Sequence, residues 1–194
     1  MDRSATTLPD APAARHREVA AAFGDLVAGT RDWQAPAPVD GWSARDVIDH
    51  LVTWFPGFLA GGGVDLPAGP SVEEDPPAAW RHHADAVQAL LDQRGDEPFS
   101  HPMAGDHRLA DAIDRFYTAD VFMHTWDLGR ATGQEVRLDP VFAGTLLEGM
   151  RPIEAVMRSS GQYGAPVPVP DDAPVVDQLL GFIGRDPGWI PPAR

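Results

Sequence analysis

The sequence predicts an all-α fold, an antiparallel four-helix bundle with an additional C-terminal helix. It reads as a single domain over 1–194, in which 161–194 form a C-terminal loop, short helix and tail. Three observations predict this. Apolar residues recur at helical spacing nearly everywhere, and no segment alternates convincingly as a half-buried strand does. Capping residues stand at Ser43, Asp75 and Asp139, just ahead of apolar-periodic segments. The 43% hydrophobic content of the 194 residues is enough for a real core.

A first helix is expected from about Ala11 to Ala28, burying Val19, Phe23, Leu26 and Val27 and ending at Gly29. A proline-containing loop, Arg31–Gly41, follows. Ser43 caps the second helix, and Asp46 sits where its carboxylate reaches back to the cap. Val47, Ile48, Leu51, Val52 and Phe55 form its stripe, and Pro56, Gly57 and Gly61-Gly62-Gly63 bring it to a close. After a loop, Leu66–Asp75, the third helix opens at Asp75-Pro76 and stops near Gly95, carrying Trp80, Val87, Leu90 and Leu91. Asp96–Asp106 reads as loop, and a fourth helix as His107 to Ala131. Asp139-Pro140 opens a fifth, with Phe142, Leu146, Leu147, Met150, Ile153 and Val156 as its stripe. Ser159–Ala173 is a proline-rich loop, Pro174–Ile183 a short helix and Gly188–Arg194 a loose tail.

Composition removes whole classes of function. The formal net charge of -14 opposes binding to nucleic acid and to anionic membrane surfaces, and reads as a solvated acidic surface. The chain has no cysteine, which excludes disulfides, a thiol nucleophile and thiolate ligands. It has no lysine either, which excludes a Schiff base. The missing asparagine and the abundance of Ala, Gly, Pro, Asp and Arg read as high-GC coding bias. The N-terminal Met1-Asp2-Arg3-Ser4-Ala5-Thr6 has no apolar run for a secretory signal, and the uncharged stretch around 51–64 is too short and broken to span a bilayer. A cytoplasmic location is the expectation.

One local pattern points to chemistry. Asp120 and His124 lie four apart on the fourth helix, which puts their Cβ atoms roughly 5–6 Å apart on one face. His50 on the second helix is a candidate third ligand. Two imidazoles and a carboxylate suit zinc or iron(II) and leave coordination positions free. An ordinary surface pair also fits the 120/124 spacing, and a buried core histidine also fits His50. Tyr117 and Asp127 share the face of Asp120 and His124; Asp127 stands three residues past His124, where it could orient the imidazole or pair with Arg130. Asp46, four residues before His50, reads as a cap. Adjacent His82 and His83 diverge by about 100° on a helix and are not both ligands. His101 and His107 read as loop residues, His16 as surface, and Trp42, Trp54 and Trp126 as core or cleft wall. No Gly-x-Ser-x-Gly elbow exists, and Gly61-Gly62-Gly63 lacks the Gly-Lys-Ser/Thr of a phosphate loop and reads as a flexible turn.

The run Trp42-Ser43-Ala44-Arg45-Asp46-Val47-Ile48-Asp49-His50-Leu51 resembles the second-helix motif of DinB-like metal-binding bundles. The run from Asp120 through His124, Trp126, Asp127 and Leu128 to Gly133 resembles their later ligand helix. More narrowly the chain is similar to the branch related to the mycothiol-dependent maleylpyruvate isomerase metal-binding domain. The tail from Tyr163 to Pro174 and from Leu179 to Pro187 fits that branch too. The resemblance implies a divalent metal, zinc or nickel, held by His50, Asp120 and His124. Members of the isomerase-like branch carry Glu where this chain has Asp120, and a further C-terminal domain for which the residues after Gly161 are too few.

Two classes of function are expected. The first is a metal-dependent enzyme of transferase or isomerase-like type. A small-molecule thiol such as mycothiol, kept as thiolate by the metal, would attack an electrophilic substrate; metal-activated water, giving hydrolysis, is the near variant. In it Tyr117 or Asp127 would handle protons. The alternative is a non-catalytic, metal-stabilised bundle that binds a ligand or partner. A homodimer is compatible with either.

Overall fold

The structure, a computed structural model, describes residues 7–159, 161 and 163–192. The N-terminal stretch read above for a secretory signal lies outside them, as do 160 and 162 of the proline-rich loop and 193–194 of the tail. The described chain is mainly α-helical, as its periodicity predicts.

Helices α1 (Pro12–Gly29), α2 (Ala44–Gly61) and α3 (Pro76–Arg94) come first. A β-hairpin, β1 (Pro98–His101) and β2 (Gly105–Arg108), follows. Then α4 (Leu109–Ala112), a π-helical segment (Ile113–Thr118) and α5 (Ala119–Thr132) run on from one another. Helix α6 (Pro140–Met150), a 3-10 turn (Arg151–Ile153), α7 (Glu154–Ser159) and α8 (Val175–Phe182) complete the order. Helices α1 and α2 each pack on both α3 and α5, and α8 packs on α6. The core between them includes Phe23, Phe55, Leu51, Val87, Ile113, Tyr117 and Leu128.

The caps work as the sequence implies. The Ser43 backbone N–H and hydroxyl donate to Asp46 Oδ2, each at 2.7 Å, while Ser43 Oγ accepts from the Asp46 N–H. Asp75 accepts from the Ala78 N–H, and Asp139 from Val141 and Phe142. Each side chain satisfies N–H groups that the first turn leaves without helical partners.

Four expectations need correction. Helix α2 closes at the glycine run, as expected, but Pro56 lies inside it and takes no part in ending it. An internal proline costs about 3 kcal/mol. Phe55 and Leu59, both fully buried, contribute roughly 1.5–3 kcal/mol each and outweigh it.

The Asp96–Asp106 loop is a hairpin, pairing Pro98 with Arg108 through His101 with Gly105. Its four-residue strands are too short to show alternation; Phe99 is their one buried residue, its ring 5.6 Å from Phe58, and the His101 ring stacks on the same Phe58 at 4.5 Å. The glycine run after α2 is fitted to this hairpin. A Cβ on Gly62 would stand 2.1 Å from the Phe99 ring, and one on Gly61 2.6 Å from His101 Nε2.

The stripe expected on the fifth helix breaks at the 3-10 turn, which shifts the phase. Val156 is 69% exposed, Ile153 is exposed too, and Met157 is buried instead. The described part of the tail is tied down: Arg130 Nη2 donates to the carbonyls of Pro187 and Trp189.

The π segment matters most for the site. The Ala119 N–H reaches back five residues to the Asp114 carbonyl, widening the turn. It buries Tyr117 and Thr118 completely and leads straight into the turn that carries Asp120.

Candidate metal centre

Helix α2 supplies His50, and α5 supplies Asp120 and His124. One ligand atom from each falls within 4.8 Å of the others. The structure therefore brings together the three residues that the sequence singles out. Asp120 lies between the two imidazoles: Oδ2 is 3.0 Å from His50 Nε2, and Oδ1 is 3.5 Å from His124 Nε2. Ligands at 2.0–2.1 Å around a tetrahedral ion stand about 3.3 Å apart. The two Asp120 separations lie on either side of that value, one to each carboxylate oxygen, and 4.8 Å bounds the spacing of the three ligand atoms.

The partners around the triad fix which atoms are free. His124 Nδ1 is 2.8 Å from Asp127 Oδ2. A carboxylate only accepts, so Nδ1 carries the proton and Nε2 is left to face Asp120. Nε2 meets the carboxylate favourably only if a proton or a metal ion lies between them. Asp127 is itself held by Arg185 from the C-terminal segment, Nε to Oδ1 at 3.0 Å and Nη2 to Oδ2 at 3.1 Å. On the far side the Trp54 indole N–H donates to Asp120 Oδ2 at 3.0 Å. A metal-bound imidazole is commonly oriented by such a carboxylate on its other nitrogen.

Burial and charge compete here, and charge wins. Burial alone would raise the Asp120 carboxyl, but His124 and His50 beside it and the Trp54 hydrogen bond hold it below the usual carboxylate range. Burial likewise opposes the Asp127 charge, and His124 and Arg185 outweigh it. Burial would lower His124, yet Asp120 and Asp127 hold it above the ordinary imidazole value. The His124 side chain is 7% exposed and the His50 side chain 31%, so the triad opens to solvent on the α2 side.

Trp42, just ahead of α2, covers the imidazoles. Its ring stacks on His124 at 5.6 Å and 16°, and lies 5.1 Å from His50. With Trp189, Pro36, Pro38, Asp40 and Asp46 it also lines a cavity of about 590 Å³. Half-buried Tyr163 lies within electrostatic reach of Asp120 and Arg185; burial and the Asp120 charge push its phenol up to about 12.

The other sequence candidates divide. Asp127 meets His124 and Arg185, while Arg130 binds the tail instead. Tyr117 is wholly buried, and its hydroxyl makes no hydrogen bond to a triad atom. His101 Nδ1 accepts from the Met103 and Ala104 N–H groups within the hairpin, and His107 bonds the Ala104 carbonyl. His16, expected at the surface, is 1% exposed. Arg185 and the Trp54 donor were not assigned from sequence. Trp54 is four residues from His50, a spacing that puts both on one helical face. Arg185 is 58 residues from Asp127, beyond any local pattern.

No protein-family model matches the chain, and no solved structure matches it. Two curated relatives do, both from Mycobacterium tuberculosis. Uncharacterized protein MT0763 of strain CDC 1551 / Oshkosh is 30% identical over 186 residues, covering 90% of this chain and 97% of that protein. Uncharacterized protein Rv0738 of strain ATCC 25618 / H37Rv shows the same identity and coverage. The similarity runs nearly end to end in both partners, and the chain belongs to the family of these mycobacterial proteins.

Proposed function

We propose that this protein is a divalent-metal-binding member of the DinB-like four-helix bundles and a metal-dependent enzyme. His50 Nε2, His124 Nε2 and an Asp120 oxygen would hold zinc, with nickel as the alternative ion. The observation that carries the reading is the carboxylate set between two imidazole nitrogens at 3.0 and 3.5 Å. When bound, the metal supplies a Lewis acid that lowers the pKa of a coordinated thiol or water.

Three protein ligands leave a coordination position open, and the partly exposed His50 side gives access to it. A small-molecule thiol of the mycothiol type is the proposed occupant, and water is the variant. Asp127 keeps the His124 proton on Nδ1 and so keeps Nε2 available. The cavity beyond Trp42 is the proposed seat of the electrophile. Among the described residues it is lined by two tryptophans, several prolines and two aspartates, with no basic residue. Such walls favour an uncharged or cationic planar group over an anion.

Elemental analysis of wild type beside His50→Ala and Asp120→Ala tests the metal. One equivalent in wild type and none in the variants is expected; a wild type that neither carries nor accepts zinc or nickel would sink the reading. Cobalt-substituted protein titrated with mycothiol then separates the two reactions. A thiolate-to-cobalt charge-transfer band supports the thiol, and its absence supports water.

A further inference from the structure

Outside the triad, three polar side chains from three elements converge in the interior. His16 comes from α1, His83 from α3 and Tyr117 from the π segment. They are 1%, 6% and 0% exposed. The Tyr117 ring centroid lies 6.1 Å from that of His16 and 5.4 Å from that of His83. His16 Nε2, His83 Nε2 and the Tyr117 hydroxyl are all buried, and none has a hydrogen-bond partner among the described residues. An unpaired buried polar group costs about 1–3 kcal/mol, and three in one place are a heavy load for a core.

The hydrogen-bonding character of these atoms follows from their neighbours. Gln88 Nε2 donates to the Ala13 carbonyl at 3.2 Å and to Asp92 Oδ1 at 2.9 Å. Both are acceptors, which fixes the orientation of the Gln88 amide. Its Oε1 must then accept from His16 Nδ1, 2.9 Å away. Burial pushes the His16 pKa down, so the ring is neutral, with its proton on Nδ1 and a bare lone pair on Nε2. Burial, reinforced by the Asp120 charge, pushes the Tyr117 phenol well above its ordinary value, so its O–H remains a donor. Burial, with His16 and His82 nearby, lowers His83 to about 4, and it is neutral as well. A donor and an acceptor therefore lie on neighbouring buried rings, and neither is paired.

We propose that this cluster of unpaired interior polar atoms is a second binding site, which takes one water molecule. The water accepts from the Tyr117 hydroxyl, donates to His16 Nε2 and takes His83 Nε2 as its third partner. Three partners are the usual complement of a buried water. The chemistry selects water over other occupants. A divalent cation would need a third strong ligand beside the two imidazoles, and among the described residues the only cluster of three His, Cys, Asp or Glu ligands is the triad. The walls lie in the core, which leaves no path for a substrate. The water joins α1 and α3 to the segment immediately before Asp120, so it ties the ligand-bearing helix to the opposite side of the core. The proposal stands apart from the metal reading and does not need it.

Oxygen-17 relaxation dispersion counts long-lived internal waters and is blind to hydroxyl exchange. Paired with water-selective NOE spectra, it tests the site in the full-length chain. Wild type should give NOEs from a long-lived water to ring protons of His16, His83 and Tyr117. The His16→Leu/Tyr117→Phe double variant, which removes one acceptor and the donor, should lose one long-lived water. Wild type without those NOEs, or an unchanged count in the folded double variant, would overturn the proposal. If the double variant does not fold, the wild-type spectra alone decide.

Discussion

His124 and His83 are almost equally buried, at 5% and 6% exposure, yet their environments push them in opposite directions. Burial opposes the charge on both. At His124 two carboxylates, Asp120 and Asp127, overcome it. At His83 the neighbours are His16 from α1, His82 from its own helix and Tyr117 from the π segment, and none is an anion. The difference teaches that partners, rather than depth, decide what a buried histidine does here. One becomes a member of a candidate metal site, its Nδ1 held by Asp127 and its charged form favoured by two carboxylates. The other becomes a neutral group that needs an uncharged partner.

The sharpest way to break this comparison is to remove the anion that separates the two regions. Asp120→Ala should weaken zinc binding by more than about 100-fold, since loss of even an outer partner costs 10–100-fold. His83→Phe should leave zinc binding unchanged, because His83 touches none of the three ligands. Calorimetric zinc titration of both variants checks the pair. Equal losses would mean that the two regions are one.

Next in size is Asp127→Ala. It strands the Arg185 guanidinium, 12% exposed, and removes the acceptor on His124 Nδ1. Breaking a buried ion pair by deleting one partner costs about 3–5 kcal/mol. Urea denaturation of metal-free protein should show a loss of that order. Replacing both Asp127 and Arg185 by leucine should recover the part due to the stranded guanidinium and leave the cost of the lost acceptor on His124 Nδ1. A double variant as unstable as Asp127→Ala would assign the loss to packing.

Acid should act on the other region. The folded His83 value of about 4 lies below its unfolded value of 6.5, so unfolded chains bind more protons between those limits. The His83 contribution is complete above pH 6.5 and is lost as pH falls toward 4. It amounts to roughly 3 kcal/mol in full. His16 acts in the same direction. Urea midpoints at pH 7 and 4.5 should fall less in His83→Phe than in wild type.

Much of this was legible in the sequence, for reasons that can be named. Ser43, Asp75 and Asp139 announce helix starts because their side chains satisfy N–H groups two or three residues away, a local requirement. Asp120 and His124 were legible because a helix converts a spacing of four into one face. What stayed hidden depends on distant contacts. The hairpin exists because Phe99 finds Phe58 and a glycine run wide enough to pass it. Arg185 reaches Asp127 only after the C-terminal segment folds back. His16 is different: it sits three residues before Val19 and seven before Phe23, on the buried stripe of α1, and residue type obscured what its position announced.

Trp54 gives the smallest expected effect and tests where one region ends and the other begins. Its indole N–H bonds Asp120 Oδ2, while its ring lies 6.1 Å from His50 and 6.1 Å from Tyr117. Trp54→Phe keeps an aromatic ring between the two and deletes only the donor. Metal-free stability should fall by about 1.5 kcal/mol, the lower end of what one hydrogen bond to a charged group contributes, because Asp120 keeps its other partners. Zinc affinity should fall about 10-fold, the lower end of the range for outer partners. The acid response should not move, because His83 and His16 receive nothing from the indole N–H. A variant that shifts zinc affinity while the pH 7 to 4.5 difference stays at its wild-type value would place the boundary within this one side chain, its polar edge serving the triad and its ring the core. A change in the acid response as well would show that the Asp120 charge reaches the interior histidines through the space the indole fills.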